Sequence, residues 1–400
     1  MRISTAGMHY NALTAMLEQQ TSLSKIQNQI ATGRRVQTPA DDPVAAVHIL
    51  ELSRALQESE QFKANSDVAT NRLTLEEQAL TDVTSLLHKV RELTVQANNA
   101  SIDDASRKMI ATEVRGRLDE LMDIANRRDA NSEYLFSGYS TQTQPFSMSA
   151  GSISYAGDQG NRLLQVGPSQ RVPDSHSGFD AFMNIAEGNG TFVVDAADAN
   201  TGTASIAGGS VTDRSAWLPG DDYTLRFTAP DTWQVVDSAN VQVATGTYTG
   251  TADTVSFRGI SVNITGRVAA NDEFQIPRSR TEDLFTTLND LVATLERPTA
   301  NASARAQTTT DLGGTLQQLD KSLEHVLSVR AEVGTRLSSL DNAANAREDQ
   351  VVELERMRSD LRDLDYAEAV TKMNQQLMAL QAAQMSYSRI SQLSLFNYLT

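Results

Sequence analysis

Apolar residues recur at seven-residue spacing towards the C-terminal end of the chain. Two rows run through the segment Asp311–Ala344, namely Leu312, Leu319, Val326, Val333 and Leu340 in the first, and Leu316, Leu323, Leu337 and Ala344 in the second. Alternating steps of three and four residues keep one narrow apolar stripe facing a partner helix, so the pattern predicts a coiled-coil helix. Asn345 is interpreted as a break, and a second helix is predicted from Ala346.

The predicted second helix carries its own apolar seam. Its members are Val351, Leu354, Leu361, Val370, Met373, Leu377, Leu380 and Tyr387. The phase of this seam shifts between Leu364 and Val370, which alters the winding of a supercoil. The apolar residues that follow Tyr387 are expected to bury themselves against another element or another molecule.

The opening of the chain carries a thinner stripe of the same kind. A helix is predicted from Ser4 to Thr32, with Gly33 as the residue that ends it. Its two heptad rows are Met16, Leu23 and Ile30, and Ala12, Gln19 and Ile26. Because helix stability comes mostly from a packed face, this helix is expected to depend on a partner.

A much longer helix is predicted from Pro43 to Ala97, with no breaker inside it. Asp41 or Asp42 is expected to cap it, and Pro43 suits the first helical position because its missing N–H costs nothing there. At 1.5 Å per residue this helix is roughly 80 Å long, which predicts an elongated molecule. Two shorter helices are expected, one capped by Ser106 and one from Thr281 to Glu296.

The middle of the chain differs in composition and in the spacing of its apolar residues. Between Gly138 and Pro277, glycine, threonine, serine and aspartate become frequent, and apolar residues alternate with polar ones, as they do over Tyr223–Phe227. A period of two is typical of strands, so the segment is predicted to be β-rich. A short helix is expected around Phe179–Glu187.

The predicted fold class is mainly α with an inserted β-rich domain. The body is expected to be an elongated long-helix bundle or coiled coil built from the N- and C-terminal segments. Three regions are expected: residues 1–42 with 365–400 as a terminal assembly coiled coil, residues 43–138 with 278–364 as a long-helix bundle, and residues 139–277 as the insertion.

Composition narrows the classes of partner. The formal net charge is −16 with a pI near 4.8, so binding to the phosphate backbone of nucleic acid is not expected. The absence of cysteine excludes disulfides, thiolate nucleophiles and zinc–thiolate sites. No apolar run approaches the roughly 20 residues that span a bilayer, and Met1–Tyr10 lacks the pattern of a signal peptide. Neither nucleic acid nor membrane is therefore expected as a partner.

No arrangement of side chains indicates catalysis. The five histidines are scattered without metal-ligand spacing, and a surface or seam position is expected for each. Asp195 and Asp198 lie in a run that lacks the glycine and terminal glutamate of a calcium loop. Trp217 and Trp233 are expected to pack in the β-rich domain rather than line a sugar site. No catalytic residue, cofactor or metal site is predicted, and the chain is not expected to be an enzyme.

Several stretches resemble the flagellin family. The N-terminal matches are Met1–Thr5, Gln27–Val36 and Thr38–Ala46. The stretches that favour the family member at the junction of hook and filament are Tyr134–Gly138 with Gln144–Phe146, Val255–Gly266 and Ser388–Leu399. The resemblance implies a structural subunit of the bacterial flagellum, extracellular and exported through the type III channel without a cleaved signal peptide. It would join the hook, through the first hook-associated protein, to the flagellin filament.

The resemblance also implies how such a subunit assembles. Terminal segments in this family are disordered in the free monomer and pair into a coiled coil within a tubular assembly, with the β domain projecting outward. The implied partners are copies of the chain in a tubular ring, the first hook-associated protein, flagellin and a flagellar export chaperone. Heptad or tail positions, taken with this terminal pairing, give the expected assembly interface as Ile3, Met16, Leu23, Ile26, Ile30, Met373, Leu377, Leu380, Ile390, Leu393, Leu395 and Phe396.

Other interpretations stay open at this point. A flagellin-type filament subunit has the same terminal pattern. A secreted adhesin-like binding module would use the β domain for recognition and the helices as a stalk. The heptads alone also fit a monomeric helical bundle that covers its own apolar tail.

Overall fold

A computed structural model of the chain describes residues 5–149, 151–217 and 221–392, in which helices flank a β-rich middle. The helices of this part are α1 (Thr5–Thr32), α2 (Pro43–Ala97), α3 (Asp104–Ala125), α4 (Leu284–Glu296), α5 (Ala302–Arg362) and α6 (Tyr366–Gln392). The mainly helical fold class with a β-rich insertion is confirmed.

The described residues divide into two compact units. The first comprises those of Met1–Ala64 with those of Asn342–Thr400, and the second those of Asn65–Asp341. Both α2 and α5 contribute residues to each unit. The finer division into three regions stays a prediction.

Helix α2 occupies the predicted range, and its start has a clear cause. Asp42 Oδ1 accepts the backbone N–H of Ala45 at 3.0 Å, while Pro43 occupies the first helical position. The prediction that Ser106 caps α3 is wrong: Asp103 is the cap, and its Oδ1 accepts the backbone N–H of Ser106 at 2.8 Å.

Helix α4 begins later than predicted. It starts at Leu284 because Asp283 caps it, accepting the backbone N–H of Thr286 at 2.7 Å. The preceding residues, Thr281–Glu282, form a short strand instead.

Helix α5 runs through Asn345, so the predicted break there is wrong. Asn345 is exposed, and an asparagine on a helix surface costs only a few tenths of a kcal/mol, about 0.7 at most, relative to alanine. The interruption lies further on, at Asp363–Asp365, and overlaps the start of the segment where the seam changes phase. The first heptad row of α5 is buried as predicted, with Leu319, Val326 and Val333 fully inaccessible.

The β-rich middle consists of short antiparallel strands. They are β1 (Phe146–Ser149), β2 (Ser152–Tyr155), β3 (Leu163–Gln165), β4 (Arg171–Pro173), β5 (Ile185–Ala186), β6 (Asp195–Ala196), β7 (Ser205–Val211), β8 (Tyr223–Ala229), β9 (Thr232–Val236), β10 (Gln242–Thr247), β11 (Ala252–Phe257), β12 (Ile260–Thr265), β13 (Glu273–Ile276) and β14 (Thr281–Glu282). One sheet has the order β10-β9-β8-β13-β6 and another β11-β12-β7. Three hydrogen-bonded pairs complete the set, β1 with β2, β3 with β4 and β5 with β14.

The helix expected around Phe179–Glu187 is only partly present. Phe179–Met183 forms one π-helical turn, and the chain then enters strand β5. The alternation predicted over Tyr223–Phe227 is confirmed, since the side chains of Tyr223, Leu225 and Phe227 are buried and those between them are half-buried.

The second unit holds two hydrophobic clusters. One joins α2, α3, α4 and α5 with the β1–β4 region, and aromatic rings such as Phe136, Phe146, Phe182 and Phe285 lie at its centre. The other fills the two larger sheets. It includes Trp217 and Trp233, which are 8% and 9% exposed, so both indoles are core residues as expected.

Candidate assembly interface

Helices α1 and α6 pack against each other in the first unit. Leu23 is buried at their contact face, and Met16, Ile26 and Ile30 are half-buried on the same side of α1. On α6 the corresponding residues Met373, Leu377 and Leu380 are half-buried. The predicted rows of both helices therefore lie on the less exposed faces of the pair.

The remaining predicted interface residues are not all described. Ile390 lies in the last turn of α6. Ile3, Leu393, Leu395 and Phe396 lie outside the described residues. The assembly role of the whole set stays a prediction.

A second apolar surface, missed by the sequence interpretation, faces away from this seam. On α1 it consists of Tyr10, Leu13 and Leu17, which share a face because they are three and four residues apart. On α6 it consists of Met378 and Met385. These five side chains are between 48% and 75% exposed, and they are called the outer stripes below. Val370 was predicted to be a seam residue of α6, and that prediction is wrong because its side chain is 42% exposed. Their spacing was visible in the sequence, but the more regular heptad rows obscured it.

The two interruptions of the helices meet through backbone hydrogen bonds. The N–H of Leu364 donates to the carbonyl oxygen of Gly33 at 3.0 Å, and the N–H of Arg35 donates to the carbonyl oxygen of Arg362 at 2.7 Å. Arg34 and Asp363 form an antiparallel bridge between them. The Arg35 guanidinium adds a bond from Nη2 to the carbonyl oxygen of Leu361 at 2.7 Å. The segment that ends α1 is thus fixed to the segment that precedes α6.

Gly33 is required at this crossing by its backbone conformation. Its φ is +68°, in the left-handed region that residues with a Cβ rarely adopt. A Cβ on Gly33 would also lie 2.9 Å from the hydroxyl of Tyr366, the first residue of α6. The expectation that Gly33 ends α1 is confirmed.

The turn between α1 and α2 is organised by the carboxylate of Asp41. Its Oδ2 accepts the backbone N–H groups of Gln37 and Thr38 at 3.1 and 2.9 Å, and its Oδ1 pairs with Lys25 Nζ at 2.8 Å. The Lys25 ammonium, followed by the Thr38 and Gln37 amides, holds the pKa of Asp41 well below its usual range. The carboxylate therefore stays ionised and ties the turn to the side of α1.

The expectation for the histidines holds for some of them and fails for one. His48 is an exposed residue of α2, whereas His176 is only 4% exposed and faces two carboxylates, so a surface or seam position is wrong for it. Across the residues described, no cluster of three or more histidine, aspartate or glutamate side chains is arranged to hold a metal ion. No described helix is both long and apolar enough to cross a membrane.

Comparisons with known proteins show which families the helical segments and the β-rich middle resemble. The model of the bacterial flagellin N-terminal helical region matches residues 3–141, and that of the C-terminal helical region matches residues 316–399. Residues 196–277 match the D2-like domain of flagellar hook-associated protein 1. The flagellar hook-associated protein 3 of Escherichia coli is 28% identical over 397 residues, covering 99% of each chain.

Solved structures agree with the sequence matches. The crystal structure of FlgL from Xanthomonas campestris is 35% identical with a TM-score of 0.73, and the match covers 77% of this chain and 99% of that one. The chain belongs to the flagellar hook-associated protein 3 (FlgL) family. The FlgL structure from Legionella pneumophila, described as a flagellar junction protein, is 31% identical with a TM-score of 0.72, covering 79% and 99% of the two chains.

Membership of the FlgL family agrees with the geometry of the first unit. The two flagellin helical regions contain α1 and α6, which are the helices that pack together and carry the outer stripes. The family consists of structural flagellar proteins, so a flagellar location follows for this chain.

Proposed function

We propose that the chain is a structural subunit of the bacterial flagellum that joins the hook to the flagellin filament and assembles through its paired terminal helices. The FlgL family supports the flagellar assignment, and the Legionella relative is described as a junction protein. The observation that carries the assembly role is the α1–α6 pair, which uses one apolar face for itself and leaves the outer stripes on the other.

The outer stripes are suited to contacts between subunits. Burying an apolar side chain of this size contributes roughly 1.5–3 kcal/mol when it is completely removed from water. Five such side chains are exposed on one subunit and are available for contacts with its neighbours. Large exposed apolar patches on proteins commonly mark interaction sites.

The predicted residues have two roles in this proposal. Leu23, Ile26 and Ile30 on α1, with Met373, Leu377 and Leu380 on α6, hold the pair together. The outer stripes contact neighbouring copies of the chain, the first hook-associated protein on one side and flagellin on the other. Met16 adds to the seam from the middle of α1. Ile3, Ile390, Leu393, Leu395 and Phe396 contribute further contacts to the assembly.

The same proposal covers how the subunit leaves the cell and its lack of catalytic activity. The subunit is exported to the cell exterior through the flagellar channel without a cleaved signal peptide, after delivery by an export chaperone. It has no catalytic activity. Terminal helices that gain much of their order from neighbours are compatible with passage through a narrow channel.

A complementation experiment tests the proposal. Cells that lack the gene are expected to carry hooks without filaments and to release flagellin monomers into the medium. Removing Leu364–Thr400 should leave the second unit folded but fail to restore filaments. Normal filaments in either strain would contradict the proposal.

Point variants test whether filament attachment needs the outer stripes in particular or any exposed apolar side chain. Leu17→Ser and Met378→Ser change exposed side chains, so the fold should persist while filament attachment falls. Met109→Ser is the matched control, because Met109 is 67% exposed on α3 in the second unit and lies in no outer stripe. If cells with each of the three variants attach filaments equally well, the outer stripes have no part in filament attachment.

The alternatives predict different behaviour. A flagellin-type subunit would polymerise into long filaments on its own after purification, whereas a junction subunit would not. The adhesin-like interpretation loses its motive because Trp217 and Trp233 are core residues, with Trp233 Nε1 donating to the carbonyl oxygen of Thr247 at 3.1 Å. Binding of the purified protein to a glycan array would restore it.

A further inference from the structure

His176 lies in the crossover segment Asp174–Ser177, which follows β4 and leads into the π-helical turn. Its ring faces two helices of the second unit. Nδ1 lies 2.6 Å from Glu76 Oε1 on α2, and Nε2 lies 3.2 Å from Glu332 Oε2 on α5. The backbone N–H of His176 also donates to both oxygens of Glu76, at 3.2 and 3.3 Å.

This arrangement constrains the protonation of the ring. An ionised carboxylate only accepts hydrogen bonds, and a neutral imidazole has a single N–H. With carboxylates at both nitrogens, a neutral ring would place a lone pair against one of them, whereas an imidazolium donates to both. Glu76 is completely buried, and a buried carboxylate is stable only when a cation and further donors compensate its charge.

We infer that His176 is held as an imidazolium and acts as a pH-sensitive clamp that fastens the crossover segment to α2 and α5. When the ring loses its proton, the buried carboxylate of Glu76 loses its closest cation. The neutral ring keeps one N–H, directed from Nδ1 to Glu76, and loses the bond from Nε2 to Glu332. The crossover segment therefore loosens at His176, while Asp174 stays paired with Arg72 on α2. This clamp does not depend on the proposed function.

Other charged groups lie near the ring, but their contacts with it are longer than the contact with Glu76 or are made to other residues. Arg336 on α5 approaches Nδ1 with Nη1 at 3.5 Å, which is far longer than the 2.6 Å contact with Glu76, so the proton of Nδ1 is directed to Glu76. Arg336 Nη2 also lies 3.6 Å from Glu332. The next charge along the segment, Asp174, is paired with Arg72 Nε at 3.1 Å.

The direction of the pH effect follows from these contacts. Burial lowers the pKa of His176, but the hydrogen bond and charge of Glu76, helped by Glu332, outweigh burial and the repulsion from Arg336, so the pKa is raised. A raised folded-state pKa gives a clamp that is complete below the ordinary histidine value of about 6.5 and is lost as the pH rises through the raised value.

The test is a titration of the full chain followed by NMR of ¹⁵N-labelled histidine rings and of backbone amide exchange. His176 is expected to titrate above about 6.5, the ordinary value, and the protection factor of the His176 amide should fall as its ring deprotonates. His325 is the internal control, because its Nε2 faces only the carbonyl oxygen of Asp180, at 2.7 Å, and needs one N–H. The protection factors of amides near His325 should stay unchanged over the same pH range.

A conservative variant separates the clamp from simple packing. Glu332 is 60% exposed, so Glu332→Gln should preserve the fold and lower the pKa of His176, because the variant removes one of the negative charges that face the ring. A ring that titrates at or below the ordinary value would overturn the inference. An unchanged protection factor for the His176 amide across the titration of its ring would also overturn it.

Discussion

Leu364 donates its backbone N–H to the carbonyl oxygen of Gly33 at 3.0 Å, which joins the interruption after α1 to the interruption before α6. Gly33 directly follows α1 in the left-handed conformation, with a φ of +68°, which is a common way for a helix to end. The Arg35 side chain adds one hydrogen bond at this crossing, but the bonds between main-chain groups are what connect the two segments.

Gly33→Ala should weaken this crossing. Alanine in the left-handed region costs about 1–2 kcal/mol, and its Cβ would press on the Tyr366 hydroxyl. Hydrogen exchange at Arg35 and Leu364 is expected to rise by roughly one order of magnitude, following that cost. Gly7→Ala is the control, since a Cβ there meets no atom within 4 Å and alanine favours the helix. Equal protection of both variants would refute the assignment of Gly33.

Asp41→Asn should loosen the turn between α1 and α2. The depressed pKa of Asp41 means that its contribution is complete above the unfolded-state value of about 3.9 and is lost as the pH falls towards the lower folded value. In the wild type, the protection factors of the Gln37 and Thr38 amides are expected to fall between about pH 4 and pH 2. In the variant these amides should already exchange rapidly at neutral pH. An acid-independent turn in the wild type would contradict this role.

Leu80→Ala should destabilise the second unit. Leu80 is completely buried in the cluster that joins the helices, and truncation of a buried leucine costs about 2–5 kcal/mol. Urea unfolding of the full chain measures the change. Leu75→Ala on the same helix is the control, because Leu75 is 36% exposed and should cost much less. Similar losses for the two variants would show that α2 is not packed as described.

Glu282→Gln should stabilise the chain at neutral and alkaline pH. Burial raises the pKa of Glu282 to about 7, with Glu187, Asp290 and Asp283 adding repulsion. A raised carboxyl pKa gives stability that is complete below the unfolded value and is lost as the pH rises through about 7. The expected gain at pH 8 is about 1–2 kcal/mol, discounted because the carboxyl is still partly exposed. A gain that is equal at pH 5 and pH 8 would argue against titration as its cause.

Some elements were predicted from the sequence almost completely. Helix α2 was predicted over its whole length because Asp42 and Pro43 mark its start and no proline or glycine interrupts it. The buried row of α5 was visible because Leu319, Val326 and Val333 repeat at seven residues. Local signals of this kind depend only on neighbours in the chain.

Other features depend on partners far apart in sequence. Asn345 was interpreted as a break although its exposed position costs the helix little, while the real interruption is fixed by bonds to residues 33–35. His176 meets Glu76 and Glu332 at separations of 100 and 156 residues, which no local pattern records. The outer stripes were open to prediction, but nothing in the sequence distinguishes a face that meets a helix from one that meets another subunit.

The crossing at Gly33 has a consequence for substitution. Every residue has a backbone carbonyl group and every residue except proline has a backbone N–H, so bonds between main-chain groups do not require particular side chains. Substitutions at Arg34 and Arg362 are therefore expected to leave these bonds in place, whereas position 33 needs the left-handed conformation that glycine adopts most readily. The joint thus relies on the backbone conformation of one residue more than on the side chains beside it.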